Sequence, residues 1–232
     1  MALICEREGL VPELRAFAAE GRPVWGTCAG MIFLASGARG GTSTGSEKLR
    51  DEHGGGAQCL LGGLPITVDR NFFGPAAESF EADLRAPAGT LPDASAAGYP
   101  ADAPCRAVFI RAPAITDPGA APSSSGQKDA GGEVERLMEM TLSPDDAARL
   151  GKSSVCVAVR RGRLLATSFH PELTDDPRWH ALFVGMVREA SGGAEAPAWG
   201  GDGGFSAFRA AHRPADVPLY KEGSRGLALH GK

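Results

Sequence analysis

The stretch from Pro23 to Ser36 constrains the fold more than any other part of this chain. Pro23-Val24-Trp25-Gly26 is a short apolar run of the kind that forms a buried strand. Ala29–Ser36 (AGMIFLAS) comes almost at once after it and predicts a helix that is apolar on most sides. Two such elements in succession need cover on several faces, which a single helical layer cannot give. Strand-like segments at Pro65–Arg70, Ser79–Leu84 and Ala107–Arg111 add the remaining material, with Phe80, Ala82 and Leu84 on the inward face of the second. The combination fits an α/β sandwich around a mixed sheet.

Other elements are marked by local chemistry. Leu10, Leu14, Phe17 and Ala18 recur at helical spacing and predict an amphipathic helix over Gly9–Glu20, ended by Gly21. Ser143-Pro144-Asp145-Asp146 has an N-cap serine, proline at the first helical position and acids in the first turn. Val155–Val159 and Leu164–Ser168 flank Arg160-Arg161-Gly162-Arg163 as a hairpin. A helix over Asp176–Ala190 would turn Trp179, Leu182, Phe183, Met186 and Val187 inward. Residues 37–58, 85–104 and 112–132 are rich in small, polar or proline residues and are expected as loop insertions. The expected organisation is one domain over 1–190, followed by a Gly/Ala/Pro-rich, mostly disordered tail over 191–232.

Composition removes several function classes. A net charge of −4 without a dominant basic cluster argues against nucleic acid as the main partner. No apolar run approaches the roughly 18 residues of a membrane span, and the N-terminus has neither a signal-peptide core nor an Arg-rich leader. Cytosol is therefore the expected compartment. Five cysteines, at 5, 28, 59, 105 and 156, form no CxxC pair and no metal-ligand spacing, so neither a disulfide framework nor a metal centre is expected. Four of them fit the role of small apolar fillers.

Cys28 is different. Gly26-Thr27-Cys28-Ala29-Gly30 lies between the predicted strand and the predicted helix, the layout of a nucleophile elbow with Cys in place of Ser. A sharp strand-to-helix turn pushes the side chain outward, and small neighbours at Gly26 and Gly30 relieve the crowding. The helix start turns its N–H groups toward the sulfur, and the Ala29 N–H is a candidate oxyanion donor. Ser168-Phe169-His170-Pro171-Glu172 closes a strand, where open α/β sheets place their active sites. Proline between the His and the Glu stops helix formation and holds their relation. A nucleophile, a base and a carboxylate that orients the base are what covalent acyl transfer requires.

The order Cys…His-x-Glu resembles the triad of class I glutamine amidotransferases. The resemblance extends to blocks in one order: Arg22–Met31 (RPVWGTCAGM), Val68–Gly74 (VDRNFFG), Ser79–Asp83 (SFEAD), Val108–Pro113 (VFIRAP) and Ala166–Thr174 (ATSFHPELT). Together these resemble the glutaminase subunit of pyridoxal 5′-phosphate synthase, the PdxT/SNO family, over roughly residues 1–190. The resemblance implies a flavodoxin-like three-layer sandwich with a mixed sheet. It also implies hydrolysis of L-glutamine to glutamate and ammonia by Cys28, His170 and Glu172. Arg70, Ile110 and Arg111 would bind glutamine, where a guanidinium suits an α-carboxylate. The ammonia would pass to a synthase partner in a large hetero-oligomer, and no cofactor or metal is implied.

One part of the family pattern has no counterpart here. Family members carry a preceding segment of several dozen residues, with early strands and a PGGEST-like turn that supplies a second oxyanion donor. Here Met1-Ala2-Leu3-Ile4 resembles the residues just after that turn, so the N-terminal strands are expected to be missing. Losing one oxyanion donor costs about 10²–10³ in rate. A catalytically impaired subunit that still binds and regulates the synthase is therefore the rival expectation. A different cysteine hydrolase, such as a peptidase, is a third.

Overall fold

The computed structural model describes residues 1–40, 50–51, 59–73, 79–118 and 132–192. The expected tail lies, from residue 193 on, outside them, as do 119–131 and most of 41–58.

The chain opens with two short helices, α1 (Ala2–Arg7) and α2 (Val11–Ala19), broken by Gly9 at φ +67°. The predicted helix over 9–20 thus starts at Val11, because Gly9 takes a left-handed turn that ends α1. Val11 is buried and Leu14 packs partly against the core, whereas Leu10 and Phe17 stay exposed. Strand β1 (Val24–Thr27) and helix α3 (Ala29–Leu34) form as expected, but α3 stops two residues early. At Ala35 the backbone becomes extended and begins strand β2 (Ala35–Arg39), which occupies the start of the expected 37–58 loop. A two-residue strand, β3 (Arg50–Asp51), pairs with it.

Next come β4 (Leu64–Asp69), β5 (Ser79–Leu84) and β6 (Cys105–Ile110), close to their predicted bounds. Two more strands fall where none was expected: β7 (Ala114–Pro118) inside the predicted 112–132 loop, and β8 (Glu135–Thr141) after it. Helix α4 (Pro144–Leu150) carries the predicted cap, the Ser143 hydroxyl accepting the Asp146 N–H. The hairpin β9 (Ser154–Arg161) and β10 (Leu164–Thr167) turns at Gly162-Arg163. Helix α5 (Arg178–Ala190) closes the described part, starting after Pro177 rather than at Asp176.

The main sheet has eight strands in the order β1-β10-β9-β7-β4-β2-β3, with β8 on the other side of β9. β1 runs parallel to β10, and β10 antiparallel to β9. One detail of register shapes the site. Along one edge of β9, β10 pairs with residues 158–161, and at Cys156 the same edge passes to Ile115 of β7. The chain therefore leaves the sheet at Ser168, where β7 takes over. A separate hairpin, β5–β6, lies against one face.

Side chains of β10 alternate between two cores and those of β9 are divided between the same two, with Val157 and Ala158 falling in one together, which explains the unbroken apolar run of Val155–Val159. Val155, Val157 and Leu165 join Phe80, Phe109, Phe169, Trp179 and Met186 beneath α5 and the β5–β6 hairpin. Cys156, Val159 and Ala166 join Met31, Phe33, Leu34 and Val11 beneath α1, α2 and α3. The result is the expected α/β sandwich of three layers. Val187, placed inward by periodicity, is 39% exposed at the far end of α5.

Candidate active site

The site forms where the C-terminal ends of β1 and β10 meet the end of β6. Thr27 pairs with Thr167 in the last rung of the β1–β10 ladder, and the next N–H, that of Cys28, donates to the Thr167 carbonyl at 2.8 Å. The turn after it is abrupt. Cys28 takes φ 48°, ψ −105°, a region that L-residues other than glycine seldom occupy, and α3 begins at the next residue. Such strain is held only when the surroundings over-determine it. Gly26 is one reason it is held: a Cβ there would stand 2.5 Å from both the carbonyl carbon and oxygen of Gly30. Strand and helix thus touch backbone to backbone. A Cβ on Gly30 would meet nothing within 4 Å, so Gly26 alone needs to lack a side chain.

His170 arrives from the other direction. Ser168 N–H still bonds to the Val157 carbonyl of β9, but His170 N–H donates to the Val108 carbonyl of β6 at 2.9 Å. The intervening residue, Phe169, is fully buried among Phe109 and Trp179 and fixes the crossing between the two strands. Pro171 then opens a single 3-10 turn, Pro171–Leu173, that returns Glu172 to the imidazole. His170 Nδ1 and Glu172 Oε1 are 2.7 Å apart. With Nδ1 so held, Nε2 is the nitrogen left for the thiol. Interaction with the Cys28 side chain is the main cause that raises the imidazole pKa from 6.5 to about 9. Burial opposes the rise, and the bond to Glu172 reinforces it.

The thiol also faces the Ile110 carbonyl, with Sγ 3.8 Å from the oxygen. Arg111, the next residue, has φ 47° and is the other described non-glycine residue with positive φ. The two strained residues therefore adjoin one contact. Arg70 comes into the same region through the register of β4: Asp69 pairs with Ala114, so Arg70 lies beside the Arg111–Pro113 segment. From Ile110 to Ala114 is four residues, at most about 14 Å of extended chain. The Arg70 Nε and Nη2 atoms are shielded from solvent. Ala29 is the first residue of α3, so its N–H has no partner from within the helix. Among the described residues no group of three or more His, Cys, Asp or Glu side chains is arranged to hold a metal ion.

A model of the SNO glutamine amidotransferase family matches residues 1–189. The chain belongs to this family. Among its relatives, a probable pyridoxal 5′-phosphate synthase subunit PDX2 of Arabidopsis thaliana is 41% identical over 194 residues, spanning 84% of this chain and 69% of the relative. The pyridoxal 5′-phosphate synthase subunit PdxT of Kineococcus radiotolerans is 41% identical over 180 residues, spanning 78% of this chain and 67% of that one. A crystal structure of a glutamine amidotransferase superposes with a TM-score of 0.52 at 32% identity, covering 80% of this chain and 72% of that structure. The mixed sheet flanked by helices is thus the fold of a class I amidotransferase.

For this amidotransferase, sequence reasoning missed one group that holds the site's framework. Arg178 is fully buried. Its guanidinium donates to both oxygens of Asp176 and to the carbonyls of Pro100, Ala103 and Pro104, the residues that lead into β6. Glu81 and Arg106 form a second, bidentate pair across the β5–β6 hairpin, at 2.6 and 2.8 Å. Both pairs steady the strand that presents Val108 and Ile110. Only the charge of Arg178 inside an otherwise apolar helix face marked it in sequence.

Proposed function

We propose that Cys28, His170 and Glu172 are the triad of a glutaminase that supplies ammonia for pyridoxal 5′-phosphate synthesis. The 2.7 Å hydrogen bond between His170 Nδ1 and Glu172, with Cys28 on its strained elbow acting on the same imidazole, is the observation that carries this reading. The thiolate attacks the amide carbon of glutamine, and electrons move onto the carbonyl oxygen. The Ala29 N–H stabilises that oxyanion. The C–N bond then breaks as the His170 imidazolium gives its proton to the departing nitrogen, releasing ammonia and leaving a γ-glutamyl thioester on Cys28. Water attacks the thioester while His170 takes its proton, and glutamate leaves with the thiolate–imidazolium pair restored. Glu172 holds one imidazole tautomer and stabilises its charged form.

Arg70, Arg111 and the Ile110 carbonyl are assigned to the substrate. A guanidinium suits the α-carboxylate, and a carbonyl suits the α-ammonium or the amide NH₂. The partner is a synthase subunit of the kind that the PdxT and PDX2 relatives' names imply, in a hetero-oligomer, with the amidotransferase domain running over 1–190. No helix among the described residues is long and apolar enough to cross a membrane, and the cytosol is the proposed compartment.

The test is ammonia release from glutamine by the wild-type chain and Cys28→Ala, each with and without the synthase subunit. Release that requires Cys28 and rises with the synthase is the expected result. Binding to the synthase with no Cys28-dependent release would replace a working glutaminase with an impaired, regulatory subunit.

A further inference from the structure

One buried polar residue is hydrogen-bonded to the nucleophile through its main chain and to the residue before the histidine through its side chain, and the glutaminase mechanism does not use it. Thr167 ends β10 with no exposed surface. Its carbonyl accepts the Cys28 N–H at 2.8 Å, which fixes the first residue of the elbow. Its hydroxyl donates to the Phe169 carbonyl at 3.3 Å, whose carbon is bonded to the His170 nitrogen. The same hydroxyl accepts the indole N–H of Trp25 at 3.3 Å. Trp25 lies three residues before Cys28, and its ring packs on His180 and Phe183 of α5, at 5.2 and 5.6 Å between centroids. A hydroxyl has one proton to give, and this one is given to the histidine loop and receives from the nucleophile strand.

We propose that Thr167 is a positioning residue, whose hydroxyl joins the Trp25 indole to the Phe169–His170 peptide and so sets the distance between imidazole and thiol. The geometry explains why a polar group stands at the end of an otherwise apolar strand (Leu164-Leu165-Ala166). A buried hydroxyl without a role is costly, whereas here both hydrogen-bonding directions are used. It also explains how the strain at Cys28 and the departure of His170 from the sheet stay in step. One residue anchors the former through its main chain and the latter through its side chain.

The proposal rests on the triad reading, and the experiment separates the two. Thr167→Val keeps the branched shape and removes the hydroxyl, Thr167→Ser keeps the hydroxyl, and Trp25→Phe removes the indole donor while retaining an aromatic ring. All three are measured beside wild type and Cys28→Ala, with the synthase subunit present, for kcat, KM, the pH profile and Tm. Loss of sub-ångström alignment predicts a fall in kcat of about tenfold for Thr167→Val, with KM changed by less than about twofold. The alkaline limb of the profile moves to lower pH, because a looser contact with Cys28 holds the His170 proton less well. Thr167→Ser recovers most of the rate, and Trp25→Phe falls between. A Thr167→Val enzyme that folds with unchanged kcat and pH limb overturns the positioning role, as does a serine variant no better than valine. Should Thr167→Val not fold, the serine and Trp25→Phe variants carry the same comparison, and wild-type kcat in both overturns it. Unimpaired activity in Cys28→Ala would instead overturn the triad reading itself.

Discussion

Arg178→Ala removes a guanidinium that has no contact with solvent and leaves Asp176, only 3% exposed, with its charge uncompensated. The Asp176 carboxylate keeps one bond, from the Arg178 backbone N–H, and loses those from the side chain at 2.6, 2.9 and 3.1 Å. Carbonyls of Pro100, Ala103 and Pro104 lose their donors at the same time. Breaking a buried pair from one side costs about 3–5 kcal/mol, most of it the cost of the stranded charge. For a chain of this size that is a fall in Tm of about 6–20 °C. The assay is thermal unfolding of wild type, Arg178→Ala and the double variant Asp176→Asn/Arg178→Met. The double variant strands no charge and fills the space with an apolar side chain, so it should recover at least half of the loss. Because the clamped segment leads into β6, glutaminase activity should fall in the single variant even below its Tm. A single variant within about 1 kcal/mol of wild type would refute the reasoning, since it would mean that water or a rearranged loop satisfies Asp176 at little cost.

Glu172→Gln should move the alkaline limb of kcat/KM below the value of about 9 set by His170, since the carboxylate is one of the causes that raise it. The sign also governs stability. His170 binds its proton more tightly folded than unfolded, so its contribution is complete below pH 6.5 and is lost as pH rises through about 9; chemical unfolding at about pH 6 and pH 10 checks it. Gly26→Ala places a methyl group against the Gly30 backbone and should cost about 1–3 kcal/mol together with most activity, read by denaturation and ammonia release. Ser143→Ala removes the cap of α4 and should cost about 1 kcal/mol with kcat unchanged, which the same two assays resolve.

The site was legible in sequence because its determinants are local. Gly26, Cys28 and the apolar helix fall within a dozen residues, and His170-Pro171-Glu172 needs a single turn. What escaped was imposed from a distance. Glu135–Thr141 (ERLMEMT) is built from good helix formers, yet it lies along the whole of β9 as a strand because that pairing buries Leu137, Met138 and Met140. Ala114–Pro118 is bounded by prolines and resembles a loop, and becomes a strand only through Ile66–Asp69 on one side and Cys156 on the other. Arg178 has the look of a solvated charge; its partners at 100–105 lie more than seventy positions away. The family blocks singled out Arg70, Ile110 and Arg111 as candidates, but only register placed Arg70 beside the segment after Ile110.

The central claim is that Cys28 carries the glutamyl group. Peptide mass spectrometry of the complex with the synthase, quenched in acid during turnover of glutamine, tests it most directly. A γ-glutamyl adduct is predicted on the peptide containing Cys28, absent from peptides containing Cys5, Cys59, Cys105 and Cys156, and absent altogether in Cys28→Ala. An adduct on another cysteine, or glutamine turnover undiminished in Cys28→Ala, would contradict it.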